Sequence, residues 1–511
     1  MPNPLYDRLF APLAQRSGAF LIRPDGSVTD GPAFLAIIHR TAAALRACGV
    51  MPGDRVAVQV AKTPEALALY GATVAAGAVF LPLNTAYTAA EVAMFVADAQ
   101  PRLLLLCDPA KADALAAIAD AHGARLRTLD AQGRGDFRDL CDAQSDACIV
   151  ADRAADDLAA LLYTSGTTGR AKGAMLTHAN LLSNAETLAE AWRFGPDDVL
   201  LHALPIFHTH GLFVACNVSL IAGASMIFLP GFDLETILRL LPRATVLMGV
   251  PTFYTRLLDD PRFDRDLAAH MRLFVSGSAP LLAETHAAFE ARTGHRILER
   301  YGMTETNMNT CNPYDGERRP GSVGPALPGV EVRVTDPQTA APLPAGETGM
   351  VEVRGPNVFK GYWNLPDKTR EEFRDDGFFI TGDLGVLAAD GYLTLVGRQK
   401  DLIITGGFNV YPKEVELLLD EMPGVLESAV IGLPHPDFGE AVFAVLVPQP
   451  DAGLDLVAID AALRERLARY KQPKALEVVA ELPRNTMGKV QKNLLRARFA
   501  GHFATAAPER P

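Results

Sequence analysis

Tyr163-Thr164-Ser165-Gly166-Thr167-Thr168-Gly169-Arg170-Ala171-Lys172-Gly173 is the stretch from which the rest of the chain is most readily understood. Gly166, Gly169 and Gly173 leave backbone N–H groups uncovered, four hydroxyls add short donors, and Arg170 and Lys172 add positive charge. A loop of that make-up surrounds a polyphosphate. It follows an apolar run, Leu158 to Tyr163, that reads as a buried strand, and precedes a second apolar segment, Ala174 to Leu176. A Gly/Ser/Thr-rich hairpin turn with no ligand is the plainer alternative. Four hydroxyls beside two cations are more than a turn needs. The P-loop of nucleoside triphosphatases is excluded, because it requires Gly, four residues, then Gly-Lys-Ser/Thr, and the spacing here is Gly166, Gly169, Lys172.

Outward from this loop, strand-like runs alternate with Ala/Leu-rich helical segments: Arg55–Gln59, Thr63–Val74, Val79–Leu83, Ala89–Ala97 and Arg102–Cys107. That alternation predicts parallel α/β layers. It recurs at Thr245–Gly249, a helix from Pro251, and Leu273–Ser276. From about Val330 short strands with Gly/Pro turns take over, at Val330–Thr335, Thr348–Arg354, Gly377–Ile380 and Tyr392–Val396, and predict a β-rich subdomain. Beyond Gly397-Arg398-Gln399-Lys400-Asp401 a new alternation begins. Strands are expected at Asp401–Ile404, Val425–Leu433, Val442–Pro448 and near Ala475–Val479, with helices at Pro412–Glu421 and Leu456–Tyr470. The fold expected is therefore α/β: a large N-terminal domain of layered α/β subdomains plus the β-rich one, and a small, separate α+β domain.

With 511 residues the chain is too long for one core. A formal net charge of −12 argues against nucleic acid or an anionic membrane as partner, so an anionic ligand must be met by local positive charge. Nearly all of that charge lies before Arg398, and Arg484, Lys489, Lys492, Arg496 and Arg498 stand together without an intervening acid. A solvated face is the usual meaning of such a run, yet one lysine on a Gly turn, Lys489, could reach a phosphate if the small domain closed over the large one. Six scattered cysteines without a Cys-x-x-Cys pair suit free thiols in a reducing compartment. Met1 to Ala14 lacks a signal-peptide core. The uncharged run Ala66–Leu83 carries Gly71, Gly77 and Pro82 and is expected to form a buried helix, a turn and a strand rather than a membrane span. A cytoplasmic location is expected.

Three further constellations carry chemistry. Glu299-Arg300-Tyr301-Gly302-Met303-Thr304-Glu305-Thr306 joins a Gly turn to hydroxyls and a carboxylate. Glu305 suits Mg²⁺ beside phosphate oxygens, or equally the acidic first turn of a helix. Ser276-Gly277-Ser278 offers small residues where a planar base can approach the backbone, or simply a turn. Thr381-Gly382-Asp383 places a carboxylate at the expected end of a strand, suited to ribose hydroxyls, although a turn aspartate is the commoner meaning.

In order and separation these motifs resemble those of the acyl-adenylate-forming superfamily, which holds acyl-CoA synthetases, aryl-CoA ligases, firefly luciferase and the adenylation domains of peptide synthetases. The resemblance spans nearly the whole chain and rests on Thr164–Gly173, Tyr301–Glu305, Thr381–Asp383, Gly397–Asp401 and Gly488-Lys489. Ala171 departs from the proline many relatives carry before the loop lysine. The branch most similar is that of the malonyl-CoA synthetases.

The resemblance implies ATP, Mg²⁺ and coenzyme A as cofactors and two half-reactions. A carboxylate attacks the α-phosphate of ATP to give an acyl-adenylate and pyrophosphate, and the thiol of coenzyme A then displaces AMP. It implies that Thr164, Ser165, Gly166, Thr167, Thr168, Gly169 and Lys172 hold the β- and γ-phosphates and that Glu305 holds Mg²⁺. Ser278, Arg300, Tyr301, Gly302 and Met303 would line the adenine site, with Thr304 near the α-phosphate, and Asp383 would take the ribose with help from Arg398. Lys489 would bridge the α-phosphate and the reacting carboxylate, where a cation lowers the repulsion of two anions. Lys400 would be the hinge about which the small domain turns to replace Lys489 with Gly406-Gly407-Phe408, whose glycines admit the pantetheine arm. The domains implied are 1–397 for ATP and acid, 398–401 as hinge, and 402–511 as lid.

A small dicarboxylic acid such as malonate needs a cation for its second carboxylate. Arg256 is expected in that role, with His208 and Ser278 nearby, against the simpler alternative of an exposed helix arginine. Methylmalonate is a second candidate. Alternatives that keep the chemistry are another short- or medium-chain acid, or a carrier protein as acceptor; a non-catalytic nucleotide-binding regulator is a third. An essential lysine on an exposed loop also makes Lys489 a candidate for a lysine acetyltransferase and deacetylase, since acetylation removes its charge.

Overall fold

The computed structural model describes residues 2–99, 103–164, 172–450, 452–485 and 489–503. Among them a large N-terminal α/β domain and a smaller C-terminal domain are built on four sheets. In spatial order, the six-stranded sheet holds Arg125–Thr128, Leu103–Cys107, Arg55–Gln59, Val79–Pro82, Leu158–Thr164 and Lys172–Thr177. Its pairs are parallel except the last, which is the antiparallel hairpin around the opening loop. The run Ala66–Leu83 resolves as expected. Thr63 caps a helix, Pro64–Ala75, by accepting from Ala66 N; Gly77 turns the chain at φ 71°, and Val79–Pro82 enters the sheet. No described helix is long and apolar enough to cross a membrane.

The eight-stranded sheet runs Asn307–Cys311, Leu298–Met303, Leu273–Ser276, Val246–Gly249, Val199–His202, Ser225–Phe228, Ala19–Ile22 and Val28–Asp30. Its inner pairs are parallel and its two edge pairs antiparallel. Every residue of Val246–Gly249 and Leu273–Ser276 is buried, as continuous apolar strands covered on both faces must be. A four-stranded antiparallel sheet, Glu331–Thr335, Thr348–Arg354, Phe379–Leu387 and Leu393–Arg398, forms the β-rich part. The last sheet lies wholly beyond Arg398. Phe408–Val410, Ile403–Thr405, Gly439–Pro448 and Val425–His435 follow one another in it, and Ala475–Val478 pairs with Gly439–Pro448.

Two expectations change. Thr381-Gly382-Asp383 lies inside strand Phe379–Leu387 rather than at its end. Gly382, at φ 72°, lets the chain bulge there and continue through Leu384 to Leu387, so the polar triplet interrupts the pattern without ending the strand. Tyr301-Gly302-Met303 closes strand Leu298–Met303, and Thr304–Glu305 is the turn of a hairpin into Asn307–Cys311, not the start of a helix. A side chain on Gly302 would strike Asn307 O at 1.8 Å, so the hairpin closes only with glycine there.

Candidate active site

Thr164 and Lys172 face each other as the last pair of the hairpin, so the strands bring both ends of the opening loop together. Ser165, Gly166, Thr167, Thr168 and Gly169 lie outside the described residues, as does Gly488. Lys172 is placed by its surroundings. Its Nζ lies 2.9 Å from Glu372 Oε1 and 4.9 Å from the centre of the Tyr362 ring. The segment carrying Tyr362 is stitched to the hairpin by Trp363 N donating to Gly173 O (2.7 Å) and Met175 N to Gly361 O (3.0 Å), and to the Thr304–Glu305 turn by Phe359 N donating to Glu305 O (2.8 Å).

Two carboxylates compete for the Tyr362 hydroxyl, Glu372 Oε2 at 2.6 Å and Glu305 Oε1 at 3.1 Å. One phenol has one hydrogen, and the shorter contact takes it. Burial raises the Glu305 pKa above the usual carboxylate range. Burial acts on Glu372 in the same direction, but Tyr362, Lys172 and Lys368 outweigh it and hold that carboxyl below its ordinary value. Among the described residues no cluster of three His, Cys, Asp or Glu is placed to hold a metal. A cation at Glu305 would draw its other ligands from phosphate oxygens and water, which is how Mg²⁺ is bound beside nucleotides, and a buried, hard oxygen donor fits it.

On the nucleoside side, Asp383 stands directly across the strand pair from Arg398, with Oδ1 2.6 Å from its Nε. Oδ2 accepts from the Tyr301 hydroxyl at 2.5 Å. A carboxylate has about four acceptor directions, so two remain for a diol. Ser278 holds φ at 74°, a conformation costly for a residue with a side chain and one that clusters at functional sites. Its Oγ lies 3.2 Å from His210 Nδ1. The preceding residue is Gly277, where a Cβ would lie 2.3 Å from the Arg300 guanidinium carbon; Arg300 therefore packs against bare backbone.

Arg300 is only 4% exposed, and its Nε and Nη2 have no hydrogen-bond partner. Burial lowers its pKa to about 10. His210, which feels the Arg300 charge, has its Nε2 buried without a partner, and Ser276 Oγ and Thr209 Oγ1 are likewise buried without one. A buried guanidinium with unmet donors is costly, and either an anion or a water reaching it would satisfy them. Arg256 is placed differently. It occupies the last turn of helix Pro251–Leu258, exposed, 5.4 Å from the centre of the Phe232 ring, while Tyr254 on the same helix turns inward and donates to Val275 O at 2.6 Å.

His208 and His210 flank the start of a π-helix, His210–Cys216, an element found mostly at functional sites. Burial and then Lys489 lower the His208 pKa to about 4, and burial drives that of His210 well below the ordinary value, so both rings are neutral near pH 7. A half-buried lysine shapes this turn. Lys62 Nζ donates to His202 O and Leu204 O, both at 2.8 Å, and lies 3.1 Å from His202 Nδ1. His202 Nε2 in turn meets Gly211 O at 2.9 Å. Lys62, Tyr362 and Glu372 carry no motif, and only tertiary packing brings them here.

The small domain contributes Lys489. Its loop is a short hairpin in which Asn485 N donates to Lys489 O, and Lys489 N to Asn485 Oδ1, both at 2.9 Å. The side chain keeps solvent access yet stands in a crowded cleft. Burial first, then Arg398, lowers its pKa, while Asp383 and Glu305 act the other way and Arg300 adds to the lowering. Lys489 is therefore within electrostatic reach of Thr304's neighbours and of the Asp383–Arg398 pair. Gly406 and Gly407 turn at φ 56° and 83° between two short strands, and Phe408 is exposed and stacked on Tyr470 with ring centres 4.8 Å apart. Lys400 lies in a 3₁₀ turn, Gln399–Asp401, between the two domains' sheets.

Known proteins resemble this chain in sequence and fold. Residues 33–363 match the model of the AMP-binding enzyme family, and residues 414–489 that of the AMP-binding enzyme C-terminal domain. A malonate–CoA ligase of Arabidopsis thaliana is 35% identical over 88% of this chain and 78% of its own. A sulfoacetate–CoA ligase of Cupriavidus necator is 35% identical over 96% and 97%. The crystal structure of ATP-bound MatB from Rhodopseudomonas palustris is 59% identical, covers 98% of this chain and 100% of its own, and superposes with a TM-score of 0.96; the apo crystal structure, at the same identity and coverage, gives 0.85. The chain belongs to the AMP-binding enzyme family and is an AMP-forming acid–CoA ligase.

Proposed function

We propose that the acid is malonate, and methylmalonate as well, activated as its acyl-adenylate with release of pyrophosphate and then passed to coenzyme A. The observation that carries this reading is the buried, unpartnered guanidinium of Arg300 within electrostatic reach of Lys489. Two cations, with neutral His208 in electrostatic reach of Lys489 and neutral His210 in reach of Arg300, suit an acid with two negative ends. The distal carboxylate meets Arg300, which the resemblance would place beside the adenine instead, because a guanidinium forks onto two oxygens, and the reacting one meets Lys489. The relatives named for malonate and sulfoacetate, each a small acid with a second anionic group, support the same reading. Arg256, expected from sequence to hold the distal carboxylate, is the rival for that role and would have to turn inward from Phe232.

The remaining roles follow the motifs. Thr164 to Lys172 receive the β- and γ-phosphates, Thr304 the α-phosphate, and Ser278 and Tyr301 to Met303 the base. Asp383 takes the ribose, steadied by Arg398 and Tyr301. Glu305 would hold Mg²⁺, which would supply charge neutralisation of the phosphates. Lys489 acts in adenylation. Rotation at 398–401, about Lys400, between domains 1–397 and 402–511 then exchanges it for Gly406-Gly407-Phe408 and the pantetheine arm. The greater likeness to ATP-bound than to apo MatB supports Lys489 being seated for the first step. Six free cysteines support a reducing, cytoplasmic setting. Acetylation of Lys489 would silence adenylation by removing the charge; mass spectrometry of the protein from cells at several growth stages tests this, and an always unmodified Lys489 refutes it.

ATP–pyrophosphate exchange across malonate, methylmalonate, acetate, butyrate and benzoate tests the whole reading. Exchange should be strong with malonate and weak with the monoacids. Exchange that is strongest with butyrate or benzoate sinks the malonate assignment, and thioester formation with free coenzyme A separates a ligase from a carrier-loading enzyme.

A further inference from the structure

A carboxylate in a triphosphate site is out of place on charge alone, and Glu372 is such a carboxylate. It lies against Lys172 at 2.9 Å, in a pair whose side chains are 18% and 19% exposed, so solvent screens it less than a surface pair. It is also fixed. Glu372 follows helix Pro366–Glu371, and the segment just before that helix is tied to the hairpin through Trp363 N and Gly173 O. Glu372 cannot follow Lys172 out toward a ligand. It has other partners, however: the Tyr362 hydroxyl at 2.6 Å and Lys368 Nζ at 3.1 Å. If Lys172 leaves, the carboxylate keeps a donor and a cation and is not stranded, which is the condition under which breaking a half-buried pair is tolerable. Lys172 has the matching freedom, because an ammonium carries three donors and Glu372 Oε1 uses one.

We infer that Glu372 is a positioning residue that stands in for phosphate oxygens, holding Lys172 aimed while the site is empty and recapturing it as pyrophosphate leaves. The inference rests on the reading of Lys172 as a phosphate-binding lysine. It assigns Glu372 a direction of effect opposite to that of an ordinary structural residue. Because the carboxylate competes with the triphosphate for one cation, removing its charge strengthens phosphate binding, whereas damage to the site's shape weakens it.

The test uses the full-length protein with Mg²⁺ and inorganic pyrophosphate as probe. Glu372→Gln is expected to lower the KM for ATP and the inhibition constant for pyrophosphate together, each by about three- to tenfold, as loss of a competing ion pair of this burial would give. The KM for the acid should hold, and Glu371→Gln, an exposed neighbour, should leave all three constants unchanged. Glu372→Asp, which keeps the charge but withdraws it by one methylene, should tighten pyrophosphate in the same direction by less. Should the glutamine variant fold poorly, thermal melting decides: a fixed concentration of magnesium pyrophosphate should raise its melting temperature by more than it raises the wild type's. Pyrophosphate binding that is unchanged or weaker in both Glu372 variants overturns the inference. If the wild type itself shows no ATP–pyrophosphate exchange with malonate, acetate or benzoate, the underlying phosphate reading fails instead.

Discussion

Lys172 and Lys489 approach one cleft from opposite domains, and they are held in different ways. Lys172 rises from a strand, lies across an aromatic ring and is paired with Glu372. Lys489 sits on a hairpin loop secured through its backbone by Asn485, and among the described residues its side chain makes no ion pair. On the reading proposed above, a cation of the large domain stays where its sheet holds it. One carried on the rotating domain must leave after adenylation, and a side chain in no ion pair leaves most easily. The electrostatics agree, because burial and the positive Arg398 both lower the Lys489 pKa, a cost that an anionic substrate removes.

The largest expected effect tests that difference directly. Lys489→Ala should slow ATP–pyrophosphate exchange by about 10²–10³-fold, the loss seen when one fixed transition-state donor is removed. Thioester formation from supplied acyl-adenylate should change less than tenfold. Equal losses in both steps would break the comparison, since they would make Lys489 a resident group like Lys172. Next comes Arg300→Met, on the fixed half, expected to cut kcat/KM for malonate by about a hundredfold by leaving a carboxylate without its buried partner. Acetate should be little affected. If Arg256→Ala reproduces that loss and Arg300→Met does not, the distal carboxylate belongs to Arg256.

A smaller effect sharpens the moving half. Gly407→Ala places a Cβ on a residue at φ 83°, where an L-residue costs about 1–2 kcal/mol. Thioester formation should fall by up to tenfold with adenylation intact; a loss confined to adenylation would remove this loop from the second step. The smallest effect is a shift with pH. Lys489 acts while charged, and its pKa is lowered from 10.5, so the charged form is lost as pH rises through that lowered value. The alkaline limb of malonate-dependent exchange should begin below pH 10.5 and move upward in Lys489→Arg, whose guanidinium stays charged. A limb at or above 10.5 in the wild type would show that burial does not act on this amine.

Much of the fold was legible because it is written in local periodicity. Arg55–Gln59, Thr348–Arg354 and Leu273–Ser276 appear where their apolar runs predict them, since a strand buried on both faces has few ways to be encoded. Ends were less legible. The helix from Leu456 stops at Arg466, short of the predicted Tyr470, and Asp401 belongs to a 3₁₀ turn rather than to a strand. The polar Thr-Gly-Asp triplet around Asp383 predicts a strand end where the strand in fact runs on to Leu387.

By itself the sequence determined the class of chemistry. Hydroxyls, glycines and cations on the loop from Thr164 to Lys172 act through residue type and short spacing, and both survive any fold that closes the hairpin. What only the tertiary structure decided is how charge is settled around that loop. Arg300 is unpaired and Arg256 exposed, Glu372 reaches Lys172 from two hundred positions along the chain, and a half-buried Lys62 holds the chain at His202 and Leu204, just ahead of His208 and His210. Each depends on burial and on contacts between distant segments. A cation's role is set by what surrounds it, and neighbours brought together by packing leave no mark on spacing.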